Sequence, residues 1–167
     1  MRLAIISDTH LPRGNRRLPD ACLERLRAAD LILHAGDLVR TEVLDALEAL
    51  GPPVAAVCGN VDDAAVAARL PQRRTVAVGA VTIGMVHDAG PAAGRLQRLR
   101  AAFPGCAAVV FGHSHVPLHD QAADGLQIFN PGSPTDRRRQ PFPTMGEAVV
   151  TGDAIAFALI TLAGPQR

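Results

Sequence analysis

The chain has 167 residues, 48% hydrophobic and 20% charged, which suits one soluble domain spanning 1–167 with a buried core. A formal net charge of +1 excludes the strong overall field of a dedicated nucleic-acid or membrane-surface binder. All 17 basic residues are Arg, and Tyr and Trp are absent, which removes the aromatic platforms on which single-stranded nucleic acid commonly stacks.

The first apolar run, residues 3–6, reaches Asp8 at once and is too short for a signal-peptide core or a membrane span, so a cytoplasmic location is expected. Further runs follow at 31–33, 54–58, 81–86 and 107–111. Runs that are apolar without alternation predict strands buried on both faces, as in parallel sheets covered by helices. Helical spacing lies between them: Leu23 and Leu26, then Val43, Leu44, Leu47 and Leu50, then Leu96, Leu99 and Phe103. Thr41 and Asp63 are expected N-caps, and Gly51-Pro52-Pro53 is a stop. The order predicted here is βαβα. The last third predicts short strands near 116–118, 126–129, 148–151 and 154–161, with a turn at Gly152-Asp153 and a long loop over 130–144. Cys22, Cys58 and Cys106 form no CxxC pair and read as small buried hydrophobes.

Metal-ligating residue types follow these strands one after another. They are Asp8-Thr9-His10, His34-Ala35-Gly36-Asp37, Gly59-Asn60-Val61-Asp62, His87-Asp88 and Gly112-His113-Ser114-His115. Open α/β sheets bind ligands at the carboxyl ends of their strands. Mixed Asp and His donors suit Mn, Fe, Co, Ni or Zn better than Mg or Ca. The alternate spacing of Asp8 and His10, and of His113 and His115, suggests extended segments presenting both side chains on one side. Gly36, Gly59 and Gly112 are expected where backbone approaches the site closely. His34 reads as a hydrogen-bonded core residue, His119 as a surface one and Ser133 as a loop-shaping one. Arg13, Arg16 and Arg17, and Arg137, Arg138 and Arg139, read as solvated loop charges that match phosphate if they reach it.

This ordered set resembles the calcineurin-like metallophosphoesterases, and the short length with Asn130-Pro131-Gly132-Ser133 resembles their small YfcE-type branch. The resemblance runs from Asp8 to about Arg138. It implies an α/β fold, a four-layer αββα sandwich with two central mixed sheets flanked by helices. It implies two divalent ions, Mn2+ first and Ni2+, Fe2+, Co2+ or Zn2+ as alternatives. Asp8, His10, Asp37 and His115 would hold one. Asp37, Asn60, His87 and His113 would hold the other, with Asp37 bridging. Asp37, Asn60 and His87 would be catalytic, with a metal-bridging hydroxide attacking a phosphodiester in line. Alternatives are a phosphomonoesterase or nucleotidase with the same site, and a Vps29-like interaction scaffold. The expected partner is a small phosphate ester, not a membrane or nucleic acid, and a homo-oligomer is compatible. Val61 stands where many superfamily members have His, which favours good leaving groups. Asp62 would hold His113 or His115, or cap the next helix. Asp88 would orient His87 or repel a dianionic substrate.

Overall fold

The computed structural model describes residues 1–162. The elements in chain order are β1 (Arg2–Ile6), α1 (Asp20–Arg27), β2 (Leu31–His34), α2 (Thr41–Glu48), β3 (Val54–Ala56), α3 (Ala64–Arg69), β4 (Arg73–Val78), β5 (Val81–Val86), α4 (Arg95–Ala102), β6 (Ala108–Val110), β7 (Leu118–Gln121), β8 (Gln127–Asn130), β9 (Thr144–Thr151) and β10 (Ala154–Thr161). They build two five-stranded sheets, ordered β10-β9-β1-β2-β3 and β4-β5-β6-β8-β7. Both are mixed: β1, β2 and β3 run parallel, as do β5, β6 and β8, while β9, β10, β4 and β7 pair antiparallel.

Strand alternation explains the layers. Leu3, Ile5, Leu31 and Leu33 face Ile83, Met85, Val110 and Phe129 in the core between the sheets. Ala4, Ile6 and Ile32 point the other way, onto Cys22 and Leu26 of α1, Leu44 and Leu47 of α2, and Val66 of α3. Val109 and Ile128 meet Leu99 of α4 and Phe103 beyond it. The result is the expected αββα sandwich. Among the described residues no helix is long and apolar enough to cross a membrane.

Four local expectations are corrected. The βαβα order breaks at β4, which pairs antiparallel with β5 across a turn at Gly79. β4 is an edge strand whose residues are mostly solvent-facing, so it has alternation instead of a continuous apolar run. Arg40, not Thr41, occupies the cap position of α2 and makes no side-chain cap bond. Asp63 caps α3 as expected, accepting from the Val66 amide at 2.9 Å. The run at 54–58 ends as a strand at Ala56, and Cys58 is half-exposed instead of buried.

Candidate metal centre

The chain leaves β1 through Ser7 into Asp8-Thr9-His10, beside the segment that follows β2. Backbone bonds lace the two together, Asp8 N to Gly36 O at 2.9 Å and His10 N to Asp37 O at 3.0 Å. The extended geometry expected for the alternate motifs is not what forms. Asp8, His10, Asp37, His113 and His115 all have positive φ, between 47° and 68°. Non-glycine residues avoid this region, and each costs on the order of 1–3 kcal/mol unless its surroundings enforce it. Here the enforcement is visible. The Asp8 carboxylate accepts the Ser7 hydroxyl at 2.6 Å and the His113 amide at 3.1 Å. The Ser133 hydroxyl donates to the Asp8 carbonyl at 2.8 Å. That is the loop-shaping role expected of Ser133.

All seven sequence-nominated residues come together. His10 Nε2 lies 3.1 Å from His115 Nε2 and 3.4 Å from Asp37 Oδ2. His115 Nε2 lies 3.4 Å from Asp8 Oδ1. On the other side, His87 Nε2 lies 3.3 Å from Asp37 Oδ1 and 3.1 Å from Asn60 Oδ1, which in turn lies 2.9 Å from His113 Nδ1. The Asp37 carboxylate thus offers one oxygen to each of two clusters. Ligand atoms of Asp8, His10 and His115 lie within 4.8 Å of one another, and so do those of Asp8, Asp37 and His87.

Proton placement tests whether a cation fits. The Ala35 carbonyl accepts His87 Nδ1 at 2.7 Å, and the Asp136 carbonyl accepts His115 Nδ1 at 2.5 Å. Each carbonyl assigns the ring proton to Nδ1 and leaves Nε2 with a lone pair aimed inward. Lone pairs of imidazole, carboxylate and amide oxygen then converge on one space, and a cation among them relieves their repulsion. The donor set therefore fits divalent metal ions of the borderline class.

The electrostatics of His10 and Asp37 agree. Burial is the largest influence on His10 and lowers it to about 4, keeping it neutral at pH 7. Burial raises the Asp37 carboxyl, but hydrogen bonding and charge from His87, the Val61 amide and His10 outweigh it and bring it down to about 2. A neutral imidazole and an ionised carboxylate are the states that bind metal. For His87 burial opposes the charged form, yet Asp37 and Asp8 raise it overall.

Other expectations sort by contact. His34 is a core histidine, fully buried, between the Thr9 hydroxyl at 3.2 Å and the Gly36 amide at 3.2 Å. His119 is exposed. The three glycines do sit at close approaches. A Cβ at Gly36 would stand 2.7 Å from His87 Nδ1, and one at Gly112 would stand 1.9 Å from Ser7 Oγ. Both roles expected of Asp62 are corrected: its carboxylate accepts the Val39 amide at 2.6 Å and the Gly59 amide at 2.7 Å, tying the Asp37 loop to the Asn60 loop. The orienting role expected of Asp88 is also corrected. Asp88 is exposed and accepts the Gly90 amide at 2.7 Å, and the Ala35 carbonyl orients His87 instead. The orienting carbonyls of Ala35 and Asp136 are backbone groups and carry no residue-type signal.

Comparison with known proteins extends the picture. Residues 1–153 match the calcineurin-like phosphoesterase superfamily domain. A probable metallophosphoesterase of Methanothermobacter thermautotrophicus is 32% identical over 167 residues, covering 99% of this chain and 95% of that protein. Vacuolar protein sorting 29 of Cryptosporidium parvum superposes with a TM-score of 0.83 at 21% identity, covering 99% of this chain and 93% of its own. An archaeal phosphodiesterase superposes at 0.73 with 20% identity, covering 96% and 100%. Those two structures share the fold. The family match and the archaeal relative place this chain in the calcineurin-like phosphoesterase superfamily.

Proposed function

We propose that the chain is a dinuclear metal-dependent phosphodiesterase. The observation that carries the reading is the Asp37 carboxylate, with Oδ2 3.4 Å from His10 Nε2 and Oδ1 3.3 Å from His87 Nε2. Asp8, His10, Asp37 and His115 hold one ion in this reading, and Asp37, Asn60, His87 and His113 hold the other. Two bound divalent ions supply Lewis acidity toward the phosphoryl oxygens and an activated water nucleophile at neutral pH.

The chain's own residues do the positioning. The Ala35 and Asp136 carbonyls fix the tautomers of His87 and His115. The Val61 amide, 3.1 Å from Asp37 Oδ1, holds the shared carboxylate in place. Val61 itself has no proton to give a leaving oxygen, so esters of acidic alcohols are the preferred substrates. Mn2+ is the first candidate ion.

Metal analysis of the purified protein with a paired assay tests this. The expected result is about two divalent ions per chain and Mn-dependent hydrolysis of bis-p-nitrophenyl phosphate exceeding that of p-nitrophenyl phosphate. Chelation should abolish it. Monoester preference would overturn the diester assignment, and absent metal or activity that survives chelation would overturn the reading.

A further inference from the structure

The sequence carries six arginines in two separate loops. Arg13, Arg16 and Arg17 lie between β1 and α1, and Arg137, Arg138 and Arg139 lie between β8 and β9. The structure brings the loops together. Arg16 pairs with Asp136 at 3.1 Å, and the Thr135 hydroxyl donates to the Thr9 carbonyl at 2.5 Å. Each loop is also fastened to the metal-centre residues, Arg13 N to the His10 carbonyl at 3.1 Å and the Asp136 carbonyl to His115 Nδ1 at 2.5 Å.

The charge balance is local. These loops hold six arginines against two acids, Asp8 and Asp136, whereas the rest of the chain holds eleven arginines against fourteen acids. A net charge of +1 therefore conceals a basic rim beside the site and an acidic remainder. Asp136 neutralises Arg16, and Arg137 donates to the Gln140 carbonyl at 2.5 Å. Among the described residues the guanidinium groups of Arg13, Arg17, Arg138 and Arg139 have no hydrogen-bond or ion-pair partner, and all four are exposed. Arg25 pairs with Glu147 at 2.7 Å and Arg100 with Asp124 at 2.5 Å, while Arg27, Arg40 and Arg73 are exposed and without a side-chain partner among the described residues, outside these two loops. Free guanidinium forks match phosphate oxygens bidentately, and a one-signed rim attracts a polyanion to the site.

We infer that the substrate is a polyanionic phosphodiester, carrying phosphates beyond the scissile one, and that Arg13, Arg17, Arg138 and Arg139 bind those outlying phosphates. The inference rests on the metal-centre reading for the scissile group. It deepens that reading by naming the substrate class. The shared chemistry is a run of phosphates, which a short oligonucleotide or a dinucleoside polyphosphate supplies.

Binding to the chelated protein gives a readout independent of hydrolysis. Anisotropy of a 5′-labelled trithymidylate is titrated at rising salt, with diadenosine tetraphosphate as competitor. The affinity for at least one of the two ligands should fall about tenfold between 50 and 200 mM salt, as neutralising two or three phosphates predicts. The variant Arg13→Gln/Arg17→Gln/Arg138→Asn/Arg139→Gln should lose that salt dependence, and a four-lysine variant should recover much of it. In the metal-loaded enzyme, the ratio of KM values for bis-p-nitrophenyl phosphate and the polyanion should collapse toward one in the neutralised variant. Success with only one of the two ligands identifies the source of the phosphates. Salt-insensitive binding, or an undiminished salt dependence in the neutralised variant, overturns the inference. Salt-dependent binding without hydrolysis overturns the phosphodiesterase reading alone.

Discussion

Gly59 lies directly against Asp37: a Cβ at position 59 would stand 2.1 Å from Asp37 Oδ1 and 2.3 Å from the Asp37 amide nitrogen. No side chain fits there unless the shared carboxylate moves. Gly59→Ala should therefore displace Asp37 from between His10 and His87. Metal affinity and diester turnover are each expected to fall at least about 10-fold, the scale on which supporting residues act at metal sites. Isothermal titration with Mn2+ on folded, chelated protein measures it, and wild-type affinity would show that the loop yields without cost.

Asp62 should matter for a reason its sequence position concealed. Its two oxygens hold the Val39 and Gly59 amides, and Val39 has a φ of 89°, where a β-branched residue is strained. Asp62→Ala removes two charge-assisted bonds and the restraint on Val39, and should cost about 2–4 kcal/mol of stability in urea. Asp62→Asn keeps one acceptor oxygen and should lose about half as much. Equal losses in the two variants would mean that the second bond contributes nothing.

The legible parts of this protein were those written in residue type. Buried parallel strands show as apolar runs because both faces are covered, and seven ligand-type residues show because Asp, His and Asn rarely follow such runs in series. Three kinds of feature did not show. β4 has one solvated face, so its pattern competes with that of a loop. The ligand loops adopt left-handed φ at Asp8, His10, Asp37, His113 and His115, a geometry set by tertiary hydrogen bonds and not by local preference. The convergence of the two arginine loops depends on Arg16 and Asp136, 120 residues apart in the sequence. Whole-chain charge averages that convergence away.

His34 supplies a pH-dependent term. Burial, its largest influence, lowers it from 6.5 to about 3, and the charge of His87 adds to this. Between those values the unfolded chain binds a proton that the folded chain refuses. The stability due to neutral His34 is thus complete above about pH 6.5 and is lost as pH falls toward 3. One such proton gives a slope of about 1.4 kcal/mol per pH unit. Urea unfolding of chelated wild type and His34→Gln at pH 5 and pH 7 should show a smaller difference between the two pH values in the variant. Identical differences would assign the acid sensitivity to other groups.

Val61 offers a gain of function. Its amide bonds Asp37 Oδ1 at 3.1 Å, a backbone contact that any residue except Pro retains, and its side chain is half-buried beside Asn60. Val61→His keeps that bond and adds a group able to protonate a departing alkoxide. General acids commonly contribute 10²–10⁴-fold where the leaving group is poor. A tenfold rise in kcat on alkyl diesters is a conservative expectation for an unoptimised ring. Turnover of aryl diesters, whose leaving oxygen departs unassisted, should change little. The alkyl activity should also acquire a new basic limb, since the protonated imidazole is the working form and is lost as pH rises through its pKa. A rise without that limb would implicate substrate binding, and no rise in a folded, metal-loaded variant would show that position 61 does not reach the leaving group.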